Sequence, residues 1–252
     1  YLTTGIRSLD TTARLVEDIG TSYSTPLVSG LLANVLNAFD PAPSRNLAKA
    51  LVIHSASLPS GEKADELHYY GYGLPDAFLR ILHASQSSAM LVFEDVLQPG
   101  YILELDPFPF PACLIRNGKS FGRVQMTLAY EPPLDPAAGL EYCRSNVSAS
   151  LGTAAVDSDG RLTHKRQVGP FPDLSGKGYE RSLVEQGFKW SPVKRYQRTM
   201  TKGVSSTHWR LRLELLHRSG ERPAPQPFAL VISISGEEGL PVYDDVVAAL
   251  RS

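Results

Sequence analysis

Long apolar runs are missing from this 252-residue chain. No stretch approaches the roughly 20 residues that a membrane-crossing helix needs, so no membrane span is expected. Cysteine is scarce: Cys113 and Cys143 can close one bridge or none, which excludes a disulfide-stapled scaffold and leaves the redox compartment open. No His, Cys, Asp and Glu grouping has metal-ligand spacing, and no clustered acidic loop suits calcium. Nor is there a phosphate-cradling glycine loop or an internal repeat. Neither a metal nor a cofactor is therefore expected. Histidine is also sparse, six in all, and none precedes His54. What remains, with 42% apolar residues, supports one large or two modest domains.

Net charge is close to absent as well, at −1, but the balance conceals an asymmetry. Residues 1–160 hold 10 Lys and Arg against 17 Asp and Glu, whereas residues 161–222 hold 14 against 5. Within this basic block, Lys189-Trp190-Ser191-Pro192-Val193-Lys194-Arg195-Tyr196-Gln197-Arg198 interleaves cations with aromatics. Such a composition suits a nucleic acid or an acidic protein surface. The plainer reading is a long solvated insertion, around residues 157–206, whose Lys and Arg stems cover Trp190 and Tyr196. No nucleic-acid-binding motif accompanies the charge, so the plainer reading is preferred. Asn146-Val147-Ser148 is a glycosylation sequon, informative only in a secreted eukaryotic protein.

Two textures divide the chain. Up to about residue 85 the pattern is helical. From Ser22 to Phe39, Leu27, Val28, Leu31, Leu32, Val35, Leu36 and Phe39 recur at three- and four-residue spacing, which predicts a mostly buried helix. Beyond Ser85-Gln86-Ser87-Ser88 short alternating strands take over, at Met90–Leu97, Tyr101–Asp106, Gly122–Tyr130, Val147–Thr153, Trp209–Leu215 and Phe228–Ser235. Proline-rich turns separate them, and Asp244–Arg251 predicts a closing helix. Many short strands with little helix imply a β-sandwich or jelly-roll-like module.

Ser22 carries the chemical interest. Gly20 and Thr21 precede the predicted helix as a sharp entry turn, with Thr21 a possible N-cap, and Pro26 falls in or just past the first turn. A serine there sits beside free backbone N–H groups and the positive end of the helix dipole. Both favour an oxyanion, so the position suits acyl transfer. Three small residues could equally do no more than cap a helix.

The longer pattern decides between them. Residues 20–30, Gly-Thr-Ser-Tyr-Ser-Thr-Pro-Leu-Val-Ser-Gly, resemble the nucleophile segment of subtilisin-like serine peptidases, Gly-Thr-Ser-x-[Ala/Ser]-x-Pro-x-Val-[Ala/Ser]-Gly. Tyr23 and Leu27 stand where many members carry Met and His. Residues 44–57 resemble the family helix that ends in a "His-Ser-Ala" turn, and residues 70–77 its "Gly-x-Gly-x-[Val/Leu]-[Asn/Asp]-Ala" segment. Residues 1–85 thus resemble the C-terminal portion of an α/β peptidase domain, followed by an all-β module over residues 88–252.

The resemblance implies Ser22 as nucleophile, with its backbone N–H in the oxyanion hole and Gly20, Thr21 and Pro26 supporting it. It implies a peptide or protein substrate. In the family the catalytic Asp and His precede the Ser, and no residue here matches them or the oxyanion Asn. His54 falls on the structural turn rather than at the catalytic base. We expect the missing groups in an upstream half, cut off at Tyr1 or carried on a second chain, and this chain alone to be close to inert. A scaffold that has lost its triad, with a partner-binding β-module, is the alternative.

Overall fold

The computed structural model describes residues 5–58, 67–82, 85–156, 159–160, 162–171 and 190–251. By contacts the chain separates into two compact units, residues 1–43 and 44–252.

In the first unit β1 (Ile6–Leu9) and β2 (Leu15–Asp18) pair antiparallel, with Ile6 opposite Asp18 and Leu9 opposite Leu15. Asp10 ties their turn, because its Oδ1 accepts from the Thr12 hydroxyl (2.7 Å) and from the N–H groups of Thr12 (2.8 Å) and Arg14 (2.9 Å). Helix α1 follows over Thr21–Asn37. Its apolar spacing predicts burial, yet Val35 is its one buried residue, and Leu27 and Val28 are 67% and 40% exposed. Periodicity identifies which side chains share a face; it does not supply the surface that covers them.

The second unit is built on two antiparallel sheets. One has the order β10–β11–β7–β13–β3, from strands Pro170–Phe171, Val193–Thr199, Arg123–Tyr130, Gln226–Ser235 and Ser88–Leu97. The other has the order β4–β12–β8–β9, from Ile102–Leu105, Trp209–His217, Ser145–Val156 and Leu162–Val168. Between them Ile115–Arg116 (β5) and Lys119–Ser120 (β6) form a small hairpin. Alternation aims Val124, Met126, Leu128 and Tyr130 from one sheet, and Trp209, Leu211 and Leu213 from the other, into a single apolar core. Trp209 is fully buried, stacks on Phe110 at 4.6 Å between ring centres and donates from Nε1 to Ser120 Oγ at 2.9 Å. A stack of this kind adds about 1 kcal/mol beyond the burial itself.

Helix α2 (Arg45–Ser55) lies on the outer face of the five-stranded sheet, against β7 and β13. Ser44 caps it by accepting from the Leu47 N–H at 3.1 Å, and Leu47, Ala48, Ala50, Leu51 and Val52 are buried. Short helices α3 (Leu67–Tyr70) and α4 (Phe78–Ile81) follow, and α5 (Val242–Arg251) packs beside β3.

The chain is thus mostly β with few helices. The α/β expectation for residues 1–85 is met in its helices. Its strands there pair as an antiparallel hairpin, because residues 6–9 and 15–18 take each other as partners rather than joining a parallel sheet. No described helix is long and apolar enough to cross a membrane. Cys113 and Cys143 are both free thiols.

Candidate active site

Ser22 is the second residue of α1 and is exposed. The N-cap is Gly20, with extended backbone and no side-chain cap bond, so Thr21 opens the helix proper instead of capping it. A helix begun this way leaves the first N–H groups, Ser22's among them, without intrahelical acceptors. Pro26 lies within the helix as its sixth residue. Having no N–H, it leaves the Ser22 carbonyl without its i+4 donor. The Thr25 hydroxyl donates to the Thr21 carbonyl at 2.9 Å beside this gap. The serine therefore stands at the open, positive end of a helix whose first turn is irregular.

Asp18, the last residue of β2, ties the hairpin to this turn. Its Oδ1 accepts from the Ile19 N–H at 2.8 Å and its Oδ2 from the Tyr23 hydroxyl at 3.0 Å. That hydrogen bond, with the carboxylate charge behind it, raises the Tyr23 phenol above its ordinary value. Residues 1–43 contain no histidine, so this unit holds no imidazole base for Ser22.

His54 is occupied elsewhere. Its Nδ1 meets Thr127 Oγ1 and its Nε2 meets Ser233 Oγ, both at 2.9 Å. Burial, and then the Arg195 and Arg123 cations, lower its pKa to about 3. A neutral ring with both nitrogens bound to hydroxyls holds a turn and cannot serve as a base at neutral pH.

Two further groupings bring a serine near a histidine, one by the pairing of β8 with β9 and one within residues 206–208. Ser150 Oγ lies 2.8 Å from His164 Nε2, but His164 Nδ1 has no partner among the described residues, so no carboxylate orients the ring. Asp106 bonds His208 Nε2, while Ser206 bonds the His208 backbone instead of its ring. Neither arrangement is a relay. His83 lies outside the described residues. No group of three or more metal-ligating side chains occurs among the described residues.

Among the described residues 190–198, Lys194, Arg195 and Arg198 do not form a common surface. Lys194 and Arg195 are neighbours in β11, so their side chains leave opposite faces of the sheet. Lys194 points between the sheets and donates to Asn146 Oδ1 and the Val147 carbonyl; burial lowers its amine to about 7. The sequon residue Asn146 is thereby engaged. Arg195 is 1% exposed and turned toward α2. Arg198 donates to the Gln167 carbonyl at 2.8 Å and to its side-chain oxygen at 2.6 Å. Residues 172–189 lie outside the described residues.

The two motif stretches downstream of Ser22 meet in space. Ser57 and Leu74 exchange N–H···O bonds of 2.9 and 3.0 Å, and the Asp76 N–H donates to Ser55 Oγ at 3.2 Å. Gly73, with φ +92°, passes so near the Ser57 carbonyl that a Cβ would stand 2.2 Å from its oxygen. The turn after α2 and the glycine segment thus form one joint.

Comparison with known proteins agrees with these observations. The sequence model of the Subtilase family matches residues 6–73, a stretch that takes in the hairpin, α1, α2 and the glycine turn. This match gives residues 6–73 a likeness to the Subtilase family. The chain is also similar to the uncharacterized protein y4bN of Sinorhizobium fredii (strain NBRC 101917 / NGR234), at 27% identity over 92% of the chain. It spans 56% of that protein's length.

Proposed function

We propose that the protein is a subtilisin-like serine endopeptidase and that Ser22 is its nucleophile. The observation that carries the reading is the position of Ser22 at the open N-terminus of α1, inside the stretch matched to the Subtilase family. Residues 1–85 are then the C-terminal portion of the peptidase domain, and residues 88–252 are a β-sandwich module attached to it.

In the reaction, Ser22 Oγ attacks the carbonyl carbon of a peptide bond while a histidine base takes its proton. An aspartate orients that histidine. The Ser22 N–H, free of helix bonding, donates to the oxyanion with the dipole of α1 behind it. The tetrahedral intermediate collapses with loss of the amine, and water releases the acyl group. Base, aspartate and a second oxyanion donor come from an upstream half of the domain, so the 252-residue chain alone does not turn over substrate.

Fluorophosphonate labelling of the longer gene product tests this. Labelling is expected there, and Ser22→Ala should abolish it while leaving the far-ultraviolet circular dichroism unchanged. A folded longer protein that takes no label, or one whose label survives Ser22→Ala, overturns the assignment.

A further inference from the structure

The sequence stretch matched to the Subtilase family spans both units: residues 6–43 belong to the first and residues 44–73 to the second. Beside its buried apolar face, a set of polar contacts from the sheet engages the end of α2. Helix α2 ends at Ser55, and the last carbonyls of any helix lack intrahelical donors. Here the Arg195 guanidinium reaches from β11 across the outer face of the sheet. Its Nη2, with two hydrogens shared among three acceptors, donates to the carbonyls of Ile53 (2.8 Å), His54 (2.9 Å) and Ala56 (2.6 Å). Gln125 of β7 donates to the His54 carbonyl at 2.7 Å. Thr127 of β7 and Ser233 of β13 take the two imidazole nitrogens. Tyr72, from the glycine turn, lays its ring 5.3 Å from the same guanidinium.

A cation that is 1% exposed must be compensated or it costs several kcal/mol. The negative end of the α2 dipole and its C-terminal carbonyls supply that compensation. The match works both ways: the helix end lacks donors, and the sheet face offers them in register. A sheet evolved only to close its own core has no use for a buried arginine on its outer face. Strand alternation puts Gln125, Thr127, Arg195 and Ser233 on that face together, each engaging the same helical turn.

We propose that this outer face is a docking site for residues 44–58, with the glycine segment 70–76 joined to them, and that Arg195 is its positioning residue. The β-module thereby acts as an intrachain clamp fixing the α2 turn and the Ser57–Leu74 joint. Arg195 touches no reacting atom; it acts by holding the helix end. Only the consequence for hydrolysis rests on the peptidase reading.

Hydrogen exchange on the full 252-residue chain tests the clamp. Arg195→Met keeps the length of the stem and removes every donor. Exchange of the last α2 amides should then accelerate on the order of 10- to 100-fold, while β4, β8 and β12 stay within about threefold of the parent. Arg195→Lys, which keeps charge but loses the fork, should fall between. Unchanged exchange in α2, or equal acceleration in both sheets, overturns the proposal. Should Arg195→Met fail to fold, Gln125→Leu carries the same test with a smaller effect. A second readout is the His54 titration, which should move upward in Arg195→Met as the neighbouring cation is lost; a residue that merely fills space would leave it unmoved. In the longer gene product, Arg195→Met should slow fluorophosphonate labelling. If the parent takes no label, the peptidase reading fails and the clamp stands on exchange alone. If the parent labels and Arg195→Met labels equally fast, the clamp has no positioning role.

Discussion

His54 refuses a proton that the unfolded chain accepts. Its folded value lies near 3 because it is buried and faces Arg195 and Arg123, with only the hydroxyls of Thr127 and Ser233 on its ring. Between pH 6.5 and 3 the unfolded state therefore binds more protons than the native one. The contribution of this residue is complete above pH 6.5 and is lost as pH falls through that window. The whole effect is on the order of a few kcal/mol. Urea midpoints of the second unit measured from pH 7 to pH 4 should fall steadily. In His54→Gln, whose amide can still pair with both hydroxyls, the slope should flatten. An equal slope in both proteins would show that other groups dominate acid unfolding.

At the scale of elements, the joint between the α2 turn and the glycine segment depends on backbone that only glycine supplies. Gly73→Ala drives a methyl carbon into the Ser57 carbonyl at positive φ, and should cost about 2 kcal/mol or more in a urea titration. Gly71 also has positive φ but nothing within 4 Å, so Gly71→Ala should cost about 1 kcal/mol. Equal costs would mean that the close approach is not maintained.

The same elements show what a sequence can and cannot tell. The β12 pattern, Trp209 to Leu215, alternates so strictly that strand and core face are both legible, and Trp209, Leu211 and Leu213 are fully buried. Strand β11 was illegible. Its face between the sheets carries Lys194 and its outer face Arg195, so charge disguises a strand within the sheet as a solvated loop. Their partners lie far off along the chain, at residues 146–147 and 53–56, where no local pattern announces them. The start of α1 was readable because local backbone makes it: Gly20 and the first helical residues lie within three positions.

Over the whole molecule, apolar exposure is uneven. In the first unit Leu9, Leu15, Ile19 and Leu27 are each more than 60% exposed. Side chains so placed contribute little where they stand, so Leu27→Ser should shift stability of the 252-residue chain by no more than about 0.5 kcal/mol. A cost above about 2 kcal/mol would contradict the exposed placement of Leu27.

The two tryptophans give the protein its own optical probes. Trp209 is sealed in the core against Phe110, whereas Trp190 is only part-buried, with the Arg218 guanidinium 3.9 Å from its ring centre. Acrylamide should quench Trp190 and spare Trp209. Trp190→Phe then leaves one blue-shifted emitter at the seam of the two sheets, and its red shift on heating dates the parting of the layers without any added dye.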